Sequence, residues 1–399
     1  MRASRRVSGP DRGPLRASVR CTAFAFAAIL VATCTGLPVR PVPSERDGSS
    51  TVLVNPGPPE GAVLLTMGAR LYSSRAATDA SPGLVGEALS PDGTTLVATT
   101  ERTLPTGISY NSDLVLVDVG TRAETVLAHS RPRAEFNGPM EWSPDGARIA
   151  YNFVRYRTNP AVVHPGPHPE LQTVCIISLG SAISQCHPDL GTVFDFDWSP
   201  DGRSLAVTGP GPQPLQVVNV ETGASTTLKS LEDPRLRLLL GGGRIVQFNS
   251  PAWSPSGRYV AVWAEVIPGG SIPVIFGADG RIVARGRGAG LDPRKLMWIP
   301  GHDLLLYAPG VTNEHASHLK LYEIDPTSGE ERRFLRRKVW PHVVDVTLSP
   351  TGRWLAILRS KSYASMNIEF VDLWSSESVP HVRVLEETSL VDWGHVARG

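Results

Sequence analysis

One five-residue phrase, Trp-Ser-Pro-Asp-Gly, recurs along this 399-residue chain and constrains its fold more than any other feature. It stands complete at 142–146 and 198–202, and with Ser in place of Asp at 253–257. Residues 89–93 and 348–352 keep the Ser-Pro-x-Gly turn behind a Leu, and Trp298-Ile299-Pro300-Gly301 is a worn copy. Taking 89, 142, 198, 253, 298 and 348 as the register gives spacings of 53, 56, 55, 45 and 50 residues. Periods of this length belong to propellers or solenoids.

Each copy has the same physical grammar. Pro presets its φ and Gly accepts a positive one, so Ser-Pro-Asp-Gly closes a tight turn. The run ending at Trp or Leu reads as one strand, and the β-branched and apolar run after the turn reads as a second. Residues 113–118, 215–220, 319–324 and 368–373 supply a third, and 124–127 and 225–228 a fourth. Four short strands per repeat make a propeller blade.

The phrase Trp-Ser-Pro-Asp-Gly-x-x-(Leu/Ile)-Ala-(Val/Tyr) resembles the repeat of TolB-like β-propellers, also found in the propeller domains of prolyl oligopeptidase-type proteins. The resemblance covers roughly residues 85 to 399. It implies a fold and, through the family, protein or peptide partners. It implies no chemistry, because the motif residues build turns and blade packing.

The chain ends suggest how the ring closes. Residues 389–394 read as the first strand of another unit, with Trp393 45 residues beyond position 348. Residues 62–67 and 69–73 are two strand-like pieces without a blade. Joining them makes a composite blade, and closure hides the sheet edge that an open array would expose. The expectation is an all-β propeller of seven four-stranded blades with composite N-/C-terminal closure. The alternative has six blades, with the ends packed as extra strands.

Residues 1–20 carry six arginines, followed by the uninterrupted small and apolar run 22–32. Eleven residues are too few to cross a bilayer but suit a signal peptide. The run ends Val31-Ala32-Thr33-Cys34, which resembles a bacterial lipobox with Thr33 in the place of the usual Gly, Ala or Ser. Cys34 is therefore the expected lipidation site, with ordinary secretion as the alternative. The divisions follow: signal peptide 1–33, Pro-rich tether 34–61 and propeller 62–399, the chain being exported and held by lipid on the outer face of the cell membrane. Without residues 1–33 the formal charge falls from +1 to about −4. That disfavours a nucleic-acid partner.

Cys175 and Cys186 flank a hairpin. With Gly180-Ser181 as its two-residue turn, 178 faces 183 and 175 faces 186, close enough for a disulfide. The other reading is two buried thiols. No second Cys pair stands at ligand spacing, so no metal site is expected.

Catalytic motifs are missing. There is no Gly-x-Ser-x-Gly elbow, Gly241-Gly242-Gly243 stands alone, and His164 and His168 lie in a Pro-rich loop. Two collective features remain. Glu141, Asp195, Asp197, Asp345 and Asp392 precede register positions by one or three residues, and would line the central channel as an acidic ring holding a cation or basic ligand. Alternatively they cap turns and bond neighbouring strands.

The second feature is a basic and aromatic set in the connections opposite the turns: Arg131, Arg133, Arg155, Tyr156, Arg157, His164, His168, Arg235, Arg237, Arg336, Arg337, Lys338, Trp340 and His342. Gathered at one end of an otherwise acidic body, they read as a face for an anionic partner, or as solvated loop charge.

The functional expectation is a monomeric, non-enzymatic binding or scaffold module at the bacterial cell envelope, without cofactor. Its partner would be a protein, a peptide or an anionic envelope polymer. The alternative is a hydrolase or lyase acting on envelope glycans or lactones through channel carboxylates.

Overall fold

The computed structural model describes residues 62–65, 70–73, 77–79, 84–103, 109–129, 134–156, 169–181, 183–211, 213–288, 295–308, 318–335, 340–341, 343–362, 365–375, 378–384 and 390–394. The expected leader and tether, Cys34 included, lie outside them.

Among the described residues, six four-stranded antiparallel sheets are built in chain order. We number them blade 1 (84–129), blade 2 (134–186), blade 3 (195–229), blade 4 (244–285), blade 5 (296–334) and blade 6 (343–384). The first strand of each is an edge strand ending at or beside a register residue. Leu84–Leu89, Ala134–Trp142, Asp195–Trp198, Arg244–Trp253 and Leu296–Trp298 are neighbours in that succession, so first strands form the inner wall of the ring. The chain is an all-β propeller of four-stranded antiparallel blades.

Six blades contiguous in sequence is the count of the alternative rather than of the seven-blade expectation. The chain ends supply a separate sheet of composite origin. Leu390–Gly394 pairs with Ala62–Leu65, and Arg70–Ser73 and Ala77–Asp79 follow outward. Leu390–Gly394 also lies against the first strands of blades 6 and 1.

The repeated turn works through its Ser and Asp. In blade 3, Ser199 Oγ accepts from Ser204 N at 2.9 Å and donates to Asp201 Oδ1 at 2.6 Å, while Asp201 Oδ1 accepts from Arg203 N at 3.0 Å. Gly202 follows at a φ of 66°, a conformation that costs a side chain but not glycine. The same bonds recur at Ser90/Asp92 and Ser143/Asp145. In the worn copy the turn bond runs from His302 N to the Ile299 carbonyl, which puts Gly301 rather than a fourth residue at positive φ. Pro then Gly at the two central positions is a type II arrangement.

The core lies between blades. Middle strands are apolar on both faces because each face meets a neighbouring sheet. In Tyr259–Ile267, Val260, Val262, Ala264 and Val266 pack toward blade 3, with Leu215 and Leu236. Ala261 and Trp263 pack the other way, against Leu305 and Tyr307 of blade 5. In blade 2, Cys175 is the strand partner of Cys186, in the register read from the Gly180-Ser181 turn, and the two are joined by a disulfide across a Cα–Cα distance of 4.0 Å.

One expected strand divides. Residues 319–324 were to form a single strand, but Leu321–Asp325 belongs to blade 5 while His318–Leu319 pairs with Trp340–Pro341 in a small sheet of its own.

Candidate functional site

The expected channel carboxylates sit on inner strands, and two of them bond to the next blade. Asp195 Oδ2 accepts from Ser250 N at 3.0 Å and Asp197 Oδ2 accepts from Trp253 N at 2.5 Å, so both join the first strand of blade 3 to that of blade 4. Ser250 sits where the receiving strand bulges between Asn249 and Ala252, whereas Trp253 lies just beyond the bulge, paired with Val260 on what is an edge strand of its sheet. Burial pushes the Asp197 carboxyl up to about 7, against the opposing pull of the Trp253 and Trp198 amides. Asp345 Oδ1 accepts from Val346 N at 2.8 Å. Glu141 lies on the inner strand of blade 2, and its carbonyl accepts from the Trp198 indole. Asp392 is placed by its backbone alone, opposite Leu64. Among the described residues, no group of three or more His, Cys, Asp or Glu is arranged to hold a metal ion.

Among the described residues, antiparallel pairing puts the end of each second strand, the start of each third and the start of each first strand of a blade at the end opposite the Ser-Pro-x-Gly turns. Arg155 is there, about half exposed, with its Nε 3.6 Å from Glu170 Oε2 on the adjacent strand. Arg235 and Arg237 are exposed on the helix α1 (Pro234–Leu239), between blades 3 and 4. Arg131, Arg133, Arg157, His164, His168, Arg336, Arg337, Lys338 and His342 lie outside the described residues.

Trp340 requires a correction. It is not a surface aromatic of that end: only 4% of it is exposed, within a cluster that includes Val343, Leu355 and Val371. Pairing of Trp340–Pro341 with His318–Leu319 fixes its backbone, and its indole donates to the buried Glu369 Oε1 at 3.4 Å. A large ring buried this way contributes to packing, and its polar edge finds a partner.

A cleft of about 490 Å³ at the turn end, between blades 4 and 5, was not anticipated. It is lined by Ser256, Arg258, His302, Asp303, Asp325 and Thr327, among others. In the turn of blade 4 Ser256 stands in the place of the usual Asp and its Oγ takes that residue's bonds, lying 3.2 Å from Ser254 Oγ and accepting from Arg258 N at 3.2 Å; Asp303 of blade 5 adds a carboxylate from outside the turn. It accepts from Ser256 N at 3.2 Å, Ser256 Oγ at 2.7 Å and Arg258 Nη2 at 2.7 Å. Burial acts to raise the Asp303 carboxyl, but those bonds outweigh it and hold it below its ordinary value. The missing Asp at 256 was the available sequence signal. A second cleft of about 490 Å³ lies along the outer edges of the same blades, where Arg287 Nε meets Glu331 Oε2 at 3.0 Å. Glu331 also accepts from the Tyr307 hydroxyl, whose ionisation is opposed first by burial and then by that carboxylate. Each cleft thus holds an ion pair between the blades, Arg258 with Asp303 in the first and Arg287 with Glu331 in the second.

No family model and no curated protein matches the sequence. Solved structures match its fold. An oligogalacturonate lyase in complex with manganese aligns with a TM-score of 0.53 at 15% identity, covering 80% of this chain and 82% of the other. An oligogalacturonate lyase from Vibrio parahaemolyticus aligns at 0.52 and 12% identity, covering 80% and 83%. TolB from Acinetobacter baumannii aligns at 0.43 and 12% identity, over 83% of this chain and 66% of that one. At such identities the likeness is one of fold.

Proposed function

We propose that the chain is a binding or scaffold propeller at the bacterial cell envelope, whose loop end recognises a protein, a peptide or an anionic envelope polymer. The observation that carries this reading is the division of labour between the two charge sets. Asp195 and Asp197 are spent on bonds that hold blade 4 to blade 3, whereas Arg155, Arg235 and Arg237 present charge to solvent at the loop end. Exposed basic groups steer an anionic partner and set its orientation. In the same reading the composite sheet of the two chain ends serves as the closing blade, and Cys34 carries the lipid that keeps the propeller at the membrane.

The test is recovery of a partner from envelope extract. Changing Arg155, Arg157, Arg336 and Arg337 together to Glu should release it, and raised salt should weaken binding by the wild type. Normal binding by that variant, combined with loss of glycan or lactone turnover in Asp195→Asn with Asp345→Asn, would replace this reading with the hydrolase or lyase one. Cys34→Ser should move the protein out of the membrane fraction, since stable anchoring takes two chains or signals. Wild-type protein found free in the medium would end the anchor claim.

A further inference from the structure

We propose that the loop end also carries a lipid-contact patch centred on α1, fitted to an anionic membrane surface. The inward side of α1 is committed: Leu236 is buried with Ile245, Phe276 and the following Leu240. The outward side is not. Leu238 is 80% exposed and Leu239 43%.

The turn after the helix brings a third aliphatic group alongside. A Cβ on Gly243 would stand 2.3 Å from Val266 Cγ1 and 3.4 Å from the Ile267 carbonyl, so the chain returns onto the second strand of blade 4. Arg244 is the strand partner of Ile267, which is itself 52% exposed. Leu238 and Leu239 are flanked in α1 by the exposed Arg235 and Arg237, and Ile267 faces the exposed Arg244 across its strand pair. Of the nearby acids, Asp233 is engaged, capping α1 through Arg235 N at 2.8 Å and meeting Lys229 Nζ at 2.5 Å; Glu232 is exposed. The local balance is basic.

Area and charge together select the occupant. A stable protein interface needs roughly 800 Å² and about 20–30 residues on each side, far more than this patch offers. A lipid surface needs only apolar tips at the acyl boundary and cations among the headgroup phosphates. Arginines beside exposed leucines meet both needs, the stems lying along apolar surface while the guanidinium groups reach the phosphates. The patch shares its end of the propeller, and Arg235 and Arg237, with the partner-binding reading, but none of its residues is changed in that reading's four-Glu variant, so the two tests fail separately.

Hydrogen exchange of the full chain, with and without vesicles, tests this at the site itself, whatever the N-terminal segment does. With phosphatidylglycerol vesicles in excess, exchange over 234–244 and 266–270 should slow several-fold, and removal of one of the arginines should weaken vesicle binding by about fivefold, the scale of one basic residue at an anionic surface. Phosphatidylcholine vesicles should leave it unchanged. Arg235→Glu with Arg237→Glu, and separately Leu238→Asp with Ile267→Asp, should each abolish the slowing, while unaltered exchange in the middle strands shows that the fold is kept. Absence of local slowing on the anionic vesicles overturns the proposal. So does equal slowing on neutral ones, or slowing caused only by lipid-free envelope protein.

Discussion

The indole Nε1 of Trp198 donates to the backbone carbonyl of Glu141 at 3.2 Å, tying the register residue of blade 3 to the residue just before the register position of blade 2. The same bond joins Trp142 to Ala88 and Trp298 to Ala252. The repeat tryptophan is therefore a blade-to-blade fastener as well as a packing residue. Trp198→Phe should keep most of the packing and lose the bond, at a cost of about 1 kcal/mol. Trp198→Ala should cost about 3–5 kcal/mol. Denaturant titration of both variants measures the difference, and a Trp198→Phe cost near zero would assign the bond no share.

Trp253 breaks the series, because its indole Nε1 is buried without a hydrogen-bond partner. Its backbone amide instead meets the Asp197 carboxylate. Trp253→Phe should therefore cost less than Trp198→Phe, since no bond is lost and a buried unsatisfied donor is removed. A larger loss at 253 would contradict this.

Asp197 makes stability depend on pH with an unusual sign. Its carboxyl titrates near 3.8 when unfolded and at about 7 in the folded chain. Between those values the folded state holds the extra proton, so stability from this group falls as pH rises from about 4 to about 7 and levels off above. Asp197→Asn, which keeps an acceptor for Trp253 N, should flatten that slope in unfolding curves taken from pH 4 to 8. An unchanged slope would show that the group responsible lies elsewhere.

The turn aspartates act in the opposite direction. Hydrogen bonds from Ser90, Ser143 and Ser199 lead the causes that hold Asp92, Asp145 and Asp201 below the ordinary value. Their contribution is complete above about pH 4 and is lost as pH falls through the depressed folded values. Ser199→Ala should cost about 1 kcal/mol for each net bond removed and shrink the acid-side loss. A Tm series from pH 2 to 5 measures both.

The link between Cys175 and Cys186 closes a short loop, for which the chain-entropy model allows about 3 kcal/mol. Reduction, or Cys175→Ala with Cys186→Ala, should lower stability by up to that amount. Intact mass of protein recovered from an oxidising compartment should be two hydrogens below that of the reduced chain. Complete alkylation there without reductant would refute the link.

What the sequence determined by itself lies within single blades. Turn position, the strands either side of it and the pairing of Cys175 with Cys186 depend on residues a few places apart, where Pro, Gly and alternation act directly on φ and on strand register. The tertiary structure decided what depends on contacts between residues about twenty to fifty places apart. Asp303 braces from the next blade a turn in which Ser256 stands for Asp; Trp253 is left without the acceptor its counterparts have; Trp340, which reads as a loop aromatic, is drawn inward by a strand partner twenty-one residues earlier. The inner-strand carboxylates show the limit most plainly. Their spacing in the repeat placed them on the inner wall, but whether they face a ligand or the next backbone depends on the edge strand of the neighbouring blade, where Ser250 sits in a bulge and Trp253 just beyond it. Nothing local to Asp195 or Asp197 specifies that bulge.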